Sequence, residues 1–462
     1  MSNPSASFAD ATVVRLERSS AEILLPFAGA NLRDYVARLR DAAIFPDAGE
    51  ALDALAGWPM AEIPDAESFR WLRRGRRDAW AWQLQTALIR LSALWSLPEL
   101  SPGPADGDLG ERTEGAVLAF QRRRGLTVDG VAGPQTLGAL EAALAEQGVT
   151  AIPLLRVDPP RVGVVLAHPA KLVPGRDEEV TRLVGDVIRL GCRPLLIPPC
   201  ADVLAPAAER SAAVAVVREL DGLLGPGGDD VDPAIYGEPD IHAENTNYRR
   251  DRFEADLALA AMRAPMYLFG ICRSHQLWNA AAGGSLVQDV QAEGFSSLSQ
   301  RQGDFGIAGD APFVVRKPDG GAVFENLVEL EPHSEIARIL GGPRAILTNS
   351  YHHQAVDVPG EGFTVVGTVW DPGTQRRTIE ATERWNAITT QFHPEVMLRD
   401  PMHREMYETL GRRARVLRML KAGAGDGEAL LARMGQHPAG HFDDSDLEWV
   451  RRELAPRIVK FG

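Results

Sequence analysis

The central part of the chain alternates unbroken apolar runs with amphipathic segments. Apolar runs occupy residues 162–167, 194–197, 220–224 and 267–271, and residues 180–190 place apolar side chains at helical spacing. A strand that is apolar at every position is typical of a parallel sheet covered on both faces. Strands that alternate with helices in this way predict an α/β sheet with helices on both faces.

Helical patterns precede and follow this α/β part, which we assign to residues 161–400. Residues 78–147 are mainly helical, and residues 401–462 show helical spacing again as a C-terminal extension. Residues 148–160 are predicted to be a linker, because two consecutive prolines near their end can lie neither inside a helix nor in a central strand.

The first 75 residues have a mixed pattern. Residues 11–18 predict a strand, and residues 31–43 place apolar side chains at helical spacing. We treat residues 1–75 as a separate segment and assign them no function.

Composition narrows the class of protein. The 462 residues are 45% apolar and 24% charged, and the net charge is −14, so the surface should repel nucleic acid and anionic lipid. No apolar run reaches the about 18 residues of a membrane span, and no leader pattern opens the chain. Three cysteines form no disulfide framework, so we expect a reducing, cytoplasmic location with neither nucleic-acid nor membrane partners.

A motif rich in glycine lies within the helical part. Residues 106–140 read DGDLGERTEGAVLAFQRRRGLTVDGVAGPQTLGAL. This pattern resembles the peptidoglycan-binding domain family over about 70 residues and implies a small all-α bundle. Thr113 and Thr136 stand where helix N-caps are expected. The resemblance leaves open whether the bundle binds a peptidoglycan fragment, docks a protein partner or acts as a spacer.

Four further motifs follow in a fixed order. They are GPGGDDVDP at 225–233, GICRSHQ at 270–276, NSYHHQAV at 349–356 and QFHPE at 391–395. With the Arg-Asp and Phe-Glu pairs at 250–254, they resemble the class I glutamine amidotransferase superfamily, and within it the gamma-glutamyl-gamma-aminobutyrate hydrolase branch. The resemblance implies a flavodoxin-like parallel sheet and a hydrolase that needs no cofactor and no metal.

Cys272 is the candidate nucleophile. It ends an apolar strand and begins a helix, a turn that projects a side chain from the top of a sheet. A helix N-terminus and a nearby imidazole both favour the thiolate that attack on an amide requires. The alternative is an inert buried cysteine, which is the interpretation we adopt for Cys192 and Cys200.

The other catalytic groups are assigned from the same motifs. His393 would act as general base and acid, and Glu395 would fix its tautomer and stabilise the imidazolium. The resemblance implies that the backbone amides of Gly228 and Arg273 form the oxyanion hole, where a glycine lets the backbone approach closely.

Predicted substrate contacts and one departure from the family pattern complete the candidate site. The resemblance implies that Gln276 lies near the substrate amide and that Ser350 and Tyr351 hold the glutamyl end, whereas His352 contacts either substrate or core. The family usually has glycine where this chain has Ser274. A side chain is costly in such a tight elbow, and we expect the nearby glycines 283 and 284 to give it room. The aspartates at 229, 230 and 232 are interpreted as turn and cap residues.

These observations predict a cysteine hydrolase that cleaves a gamma-glutamyl amide of a small molecule through a thioester. Two alternatives stay open: a glutaminase subunit that supplies ammonia to a separate partner, and an inactive ligand-binding or docking protein, which Ser274 favours. The gamma-linked D-glutamyl bond of a peptidoglycan stem peptide is a second candidate substrate. A homodimer is compatible with the sequence but is not indicated by it.

Overall fold

The computed structural model describes residues 12–16, 22–25, 33, 35–37, 40, 48–56, 60–61, 71–149, 159–168, 178–199, 206–295, 326–423, 426–435 and 442–458. Cys200 and most of the predicted linker lie outside the described residues.

The described strands are β1 Thr12–Leu16, β2 Glu22–Leu25, β3 Met60–Ala61, β4 Arg161–Val165, β5 Arg193–Ile197, β6 Gly222–Gly225, β7 Tyr267–Ile271, β8 Ser285–Val287, β9 Asn326–Leu330, β10 Ala345–Thr348, β11 Ala355–Val358, β12 Thr364–Asp371, β13 Arg376–Arg384 and β14 Ala387–Thr390. The described helices are α1 Gly49–Ala56, α2 Ala79–Trp95, α3 Glu111–Arg124, α4 Pro134–Glu146, α5 Glu178–Arg189, α6 Pro206–Arg218, α7 Tyr248–Arg263, α8 Arg273–Ala281, α9 Glu335–Ile339, α10 Pro401–Lys421, α11 Gly427–Gly435, α12 Asp444–Trp449 and α13 Ala455–Ile458. Short 3₁₀ turns lie at Pro98–Leu100, Pro233–Ile235 and Pro394–Val396, and a π turn lies at Val450–Leu454.

A mixed sheet forms the centre of the molecule. Its strand order is β10-β9-β12-β13-β14-β7-β6-β4-β5-β2-β1-β3, with β11 and β8 joined at β13. The run from β14 to β2 is parallel, and the strands on either side of it are antiparallel. The predicted α/β class is therefore confirmed, and the four apolar runs correspond to β4, β5, β6 and β7.

The N-terminal segment contributes to this sheet. The strand predicted near residues 11–18 is present as β1, and β2 pairs in parallel with β5, with Ile23 opposite Leu196. Within the predicted helix at 31–43, the described residues 33, 35–37 and 40 are helical. The boundary predicted at residue 75 remains a prediction, but the segment before it extends the parallel sheet.

Helices cover both faces of the sheet. On one face, α10 is capped by Asp400 and buries Tyr407, Leu410 and Ala414. A Cβ at Gly222 would lie 3.2 Å from Leu410, so this glycine lets the helix pack closely on β6. The other face is covered by α6, α7 and α8. No described helix combines the length and hydropathy that crossing a membrane requires.

The helical module folds around two repeated clasps. In the first, the Gln85 amide donates to Asp106 at 2.8 Å and accepts from the Gly107 amide at 2.8 Å. In the second, Gln121 bonds Asp129 and Gly130 in the same way at 2.8 and 2.9 Å. Each glutamine thus closes an Asp-Gly turn that leads into a helix.

The two threonines predicted as N-caps have another role. The caps of α3 and α4 are Gly110 and Gly133, while Thr113 and Thr136 lie within the first turns. Their hydroxyls accept hydrogen bonds from Gln85 and Gln121 at 3.2 and 3.1 Å. The N-cap prediction was wrong because the threonines complete the glutamine clasps.

The module packs directly against the α/β unit. Gly107 lies so near α5 that a Cβ on it would be 2.6 Å from Ile188 Cγ2. The Arg415 guanidinium of α10 lies 4.5 Å from the centre of the Trp82 ring. These contacts bring α2 beside α5 and α10.

The burial of Glu380 makes the free energy of unfolding depend on pH. The side chain is fully buried in β13, neither carboxyl oxygen has a partner within the described residues, and burial raises the pKa of Glu380 to about 8. The unfolded chain loses this proton near pH 4.5 while the folded chain keeps it, so the free energy of unfolding falls as pH rises from 4.5 to 8.

We expect Glu380→Gln to stabilise the protein by about 3 kcal/mol at pH 7 and by nearly nothing at pH 4, because glutamine cannot ionise. Chemical denaturation of both proteins at the two pH values measures this difference. An equal stability difference at both pH values would contradict a protonated Glu380.

Candidate active site

Cys272 lies in a strained turn between β7 and α8. Its backbone adopts φ 49° and ψ −104°, a region that non-glycine residues enter only at a cost of about 1–3 kcal/mol. Its amide donates to the Thr390 carbonyl at 2.7 Å, and its carbonyl accepts from Gln276 at 3.1 Å. The predicted strand–turn–helix geometry is therefore present. It places the thiol at the N-terminus of α8, with 5% of the residue exposed.

His393 and Glu395 form a close pair at the end of β14. His393 Nδ1 lies 2.6 Å from Glu395 Oε1. Burial disfavours the imidazolium, but the Glu395 carboxylate and the Cys272 thiolate together raise the pKa of His393 well above its ordinary value. The structure thus brings together Cys272, His393 and Glu395, and the neighbouring acidic groups favour a protonated imidazole.

Two side chains that the sequence analysis missed hold this arrangement. The Asn349 amide accepts from the His393 amide and donates to its carbonyl, both at 2.8 Å. The Gln391 amide donates to Cys272 Sγ at 3.6 Å. Because both lie inside motifs already singled out, the missing information was their orientation.

Gly227 packs in the gap between the imidazole and the thiol. A Cβ at this position would lie 2.8 Å from His393 Cε1 and 3.6 Å from Cys272 Cβ. The glycine is therefore required for the close approach of the loop after β6 to the Cys–His pair.

Gly228 and Arg273, the residues predicted to form the oxyanion hole, both lie beside Cys272. Gly228 lines the cleft beside Cys272, and Arg273 is the first residue of α8. Within the described part of the chain, neither amide donates a backbone hydrogen bond. Two unpaired amides beside a candidate nucleophile can receive a negatively charged oxygen.

A buried ion-pair network fixes these two amides. The Arg273 guanidinium pairs with Asp251 and lies 2.5 Å from Glu254, which also accepts from Arg250 at 2.7 Å. Burial would raise the pKa of Glu254, but the two guanidinium groups lower it below its ordinary value. The Asp232 amide donates to Asp251 at 2.7 Å, so α7 holds both the loop after β6 and the elbow.

Ser274 fits the elbow by a route different from the one predicted. Its buried hydroxyl donates to the Pro226 carbonyl at 2.9 Å. A Cβ at Gly225 would lie 2.6 Å from Ser274 Cβ, so Gly225 supplies the room that was expected from the glycines at 283 and 284. Ser274 therefore ties α8 to the loop that carries Gly228.

We expect Ser274→Ala to lower kcat about tenfold with KM nearly unchanged, because the lost hydrogen bond frees the loop that presents the Gly228 amide. Ser274→Gly should lose at least as much. Steady-state kinetics on the substrate class that the sequence predicts, a gamma-glutamyl amide, measure both. Activity in the glycine variant equal to wild type would show that the hydroxyl has no positioning role.

The predicted substrate residues occupy different depths. Gln276 lines the cleft and donates to the Gln354 carbonyl at 2.6 Å, while Tyr351 lies at the mouth with 42% of its surface exposed. His352 also lines the cleft, and burial lowers its pKa to about 4, so its ring is neutral. Ser350 is buried but is not among the residues that line the cleft.

His353 forms an ion pair at the cleft wall. Its Nδ1 lies 2.6 Å from Asp230 and its Nε2 lies 3.6 Å from Asp289. Although burial opposes protonation, the Asp230 carboxylate raises the pKa of His353 above its ordinary value. The described residues contain no cluster of three or more His, Cys, Asp or Glu side chains that could hold a metal ion. Asp232 caps the turn Pro233–Ile235, as expected.

The cleft has a volume of about 480 Å³ and an acidic mouth. Besides the residues above, it is lined by Glu179, Asp229, Glu244 and Asn245. The shape suits a small extended substrate, and the carboxylates favour a positively charged group at the entrance.

Comparison with known proteins agrees with these observations. A family model described as peptidase C26 matches residues 173–395, and one described as a putative peptidoglycan binding domain matches residues 82–140. Protein NtpR of Enterococcus hirae is 29% identical over 197 residues, which are 42% of this chain and 74% of the relative. A putative glutamine amidotransferase-like protein, the YvdE homolog of Lactococcus lactis subsp. cremoris, is 32% identical over 145 residues, which are 31% of this chain and 68% of the relative.

One further relative and one solved structure are similar to this chain over different shares of its length. A probable N-acetylmuramoyl-L-alanine amidase of Bacillus licheniformis is 32% identical over 114 residues, 23% of this chain and 31% of the relative. The crystal structure of a glutamine amidotransferase from Thermotoga maritima shares 16% identity, covers 59% of this chain and 97% of its own, and has a TM-score of 0.30. The family match supports an amide-bond hydrolase or glutaminase. The chain belongs to the peptidase C26 family of class I glutamine amidotransferase-like proteins, with a peptidoglycan-binding-like module on the N-terminal side of that domain.

Proposed function

We propose that the protein hydrolyses a gamma-glutamyl amide through a thioester on Cys272, with His393 and Glu395 completing the triad. The observation that carries the proposal is the strained cysteine at the N-terminus of α8 beside the His393–Glu395 pair, with two unpaired amides at the same point. The strain at Cys272 supports a role in chemistry because such backbone conformations persist where function needs them.

The first half of the reaction forms the thioester. The Cys272 thiolate attacks the gamma-carbonyl carbon, and the amides of Gly228 and Arg273 stabilise the resulting oxyanion. The His393 imidazolium gives its proton to the departing nitrogen as the C–N bond breaks. The amine leaves, and the glutamyl group remains bound to sulfur.

The second half returns the enzyme to its starting state. Neutral His393 accepts a proton from water, and the hydroxide attacks the thioester carbonyl. The oxyanion forms again at the same two amides and then collapses, expelling the Cys272 thiolate and releasing the free gamma-carboxylate. Glu395 stabilises the imidazolium formed at each cycle.

The charges around the cleft favour a small substrate that carries both a positively charged group and a carboxylate. Asp229 and Glu244 line the mouth, and the His353 imidazolium lies at the wall. An alpha-ammonium group would be attracted to the acidic mouth, while the alpha-carboxylate would be attracted to His353. We therefore place a free gamma-glutamyl amide first among the candidate substrates.

The match of residues 82–140 to a peptidoglycan-binding domain favours a second substrate, the gamma-linked D-glutamyl bond of a stem peptide. A module that binds wall fragments would raise their concentration at the cleft. A site shaped for L-glutamyl groups should bind the D-isomer poorly, so we rank this substrate below the first.

A release assay tests the proposal. The protein is incubated separately with gamma-L-glutamyl amines, glutamine and purified muropeptides, and free amine or ammonia is quantified with the Cys272→Ala variant as the blank. Turnover of gamma-L-glutamyl amines without muropeptide cleavage supports the first substrate, and a new amino group after D-glutamate supports the second. Release only from glutamine indicates a glutaminase. No release from any compound overturns the proposed hydrolase.

A further inference from the structure

A second cavity lies behind the catalytic glutamate. It has a volume of about 600 Å³ and is bounded by the helical module on one side and the α/β unit on the other. Trp82 and Ile89 of α2 form one wall, Tyr407 and Arg415 of α10 form the other, and Glu395 also lines the cavity. His393 and Cys272 line the first cleft and not this second cavity, so Glu395 stands between the two.

Two buried polar groups in this cavity have no partner. Glu395 bonds His393 through Oε1, while its Oε2 makes no hydrogen bond within the described residues. The Tyr407 hydroxyl, in a residue only 2% exposed, is also unpaired there. Because buried polar groups are almost always hydrogen-bonded, two such groups on one cavity indicate an occupant that bonds them.

The cavity also carries excess positive charge. Six arginines line it, against the acids Asp186, Glu395 and Glu408, but Arg189 pairs with Asp186, and Arg412 pairs with Glu405 and Asp446 outside the lining. Arg404 donates to two backbone carbonyls, at 2.8 and 3.3 Å. Arg415 donates to the Leu190 carbonyl at 2.9 Å and lies over Trp82. Within the part of the chain that the structure describes, these contacts of Arg404 and Arg415 are all with neutral groups, so neither charge is neutralised by an adjacent carboxylate.

We propose that this cavity binds a small organic anion that also carries N–H or O–H donors. The anionic group lies against Arg404 and Arg415, and a donor bonds Glu395 Oε2. Guanidinium groups suit carboxylate or phosphate, and the Trp82 and Ile89 side chains suit an apolar body. The occupant is an effector, since the cavity holds none of the reacting atoms.

Occupation of the cavity affects the triad through Glu395. A donor on Oε2 fixes the carboxylate in the orientation in which Oε1 contacts His393, so kcat/KM rises when the effector binds. This kinetic step rests on the proposed hydrolase, whereas binding itself does not. The helical module acts here as one wall of a regulatory site.

Calorimetric titration of the full chain tests binding. The probe is N-acetylmuramoyl-L-alanyl-D-isoglutamine, which combines a carboxylate with hydroxyl and amide donors. Saturable binding is expected at millimolar concentration, and neutral N-acetylglucosamine should bind far more weakly. Arg404→Gln should weaken binding about tenfold, and Arg404→Lys should restore part of it. Absence of saturable binding overturns the proposal.

Two variants locate the bound probe. Ala105→Trp fills the cavity without removing a charge and should abolish binding, whereas Arg451→Gln removes an exposed arginine elsewhere and should leave binding unchanged. Binding that survives both Arg404→Gln and Ala105→Trp would place the probe elsewhere and overturn the assignment.

Kinetics test the coupling separately. Saturating probe should raise kcat/KM for a gamma-glutamyl amide about threefold or more in the wild-type protein and have no effect in Ala105→Trp. Binding without any change in kcat/KM would overturn the coupling. If the protein turned over no gamma-glutamyl amide, the proposed hydrolase would fail while the titration still decided the binding site.

Discussion

Replacing Cys272 by alanine is expected to reduce turnover by about 10⁴-fold or more, to the level of the blank. The variant keeps the fold, because the Cys272 backbone contacts to Thr390 and Gln276 do not use the thiol. The Tyr351 carbonyl and the Gln391 amide, each 3.6 Å from Sγ, are too weakly nucleophilic to replace the thiol. Release of amine from a gamma-glutamyl substrate measures the loss.

Cys192 offers a matched control. It is fully buried, and burial raises the pKa of its thiol to about 12. A gamma-glutamyl electrophile should therefore label Cys272 and not Cys192, as peptide mass analysis would show, and Cys192→Ala should keep both labelling and turnover. Wild-type rates in Cys272→Ala, or labelling only at Cys192, would contradict the nucleophile assignment.

The parallel centre of the sheet was predictable because each of its strands is buried on both faces. The runs that became β4 to β7 are apolar at nearly every position, which is the pattern such burial requires. The place of β2 was not predictable from the sequence. Its pairing with β5 joins residues about 170 positions apart, and no local pattern encodes such a contact.

Motif resemblance identified the candidate site, but its geometry depends on side chains that the motifs leave ambiguous. Asn349 was part of a recognised motif, and the contact of its amide with both backbone groups of His393 appears only in the folded chain. Ser274 looked like a defect because its partner, Gly225, lies in a different motif. Gly225 makes room for Ser274 through a contact in space. A position-by-position comparison of sequences considers the two residues separately and does not detect this contact.

The N-cap prediction for the two threonines of the module failed for a different reason. Thr113 stands three residues after Gly110, and threonine is one of the preferred N-cap residues. Gly110 occupies the N-cap position here without a side-chain hydrogen bond, and the Thr113 hydroxyl instead accepts a hydrogen bond from Gln85. A tertiary hydrogen bond therefore determines the role of Thr113, and its local preference for the N-cap position does not.

His393, the general base, is the second residue whose replacement should greatly reduce turnover. His393→Ala should reduce turnover nearly as much as Cys272→Ala, by about 10⁴-fold, because both the thiolate and the leaving amine depend on this imidazole. Glu395→Gln should lose less, about 10²- to 10³-fold, since glutamine keeps a hydrogen bond to Nδ1 and loses only the charge. Steady-state kinetics on the same gamma-glutamyl amide rank the two variants.

The pH dependence of kcat/KM distinguishes two roles of Glu395, which are to orient the His393 ring and to raise its pKa. In the wild-type protein, burial opposes protonation of His393, but the Glu395 carboxylate helps to raise its pKa, so the imidazolium is stabilised and is lost as pH rises through that pKa. Removing the carboxylate lowers the pKa of His393, and the alkaline limb of kcat/KM should move to lower pH in Glu395→Gln. Asn349→Ala serves as the control, because its amide holds the His393 backbone without adding charge, so it should lower the rate and leave the limb in place. An alkaline limb at the same pH in Glu395→Gln and wild type would mean that the carboxylate only orients the ring, and the electrostatic part of the proposed triad would then be wrong.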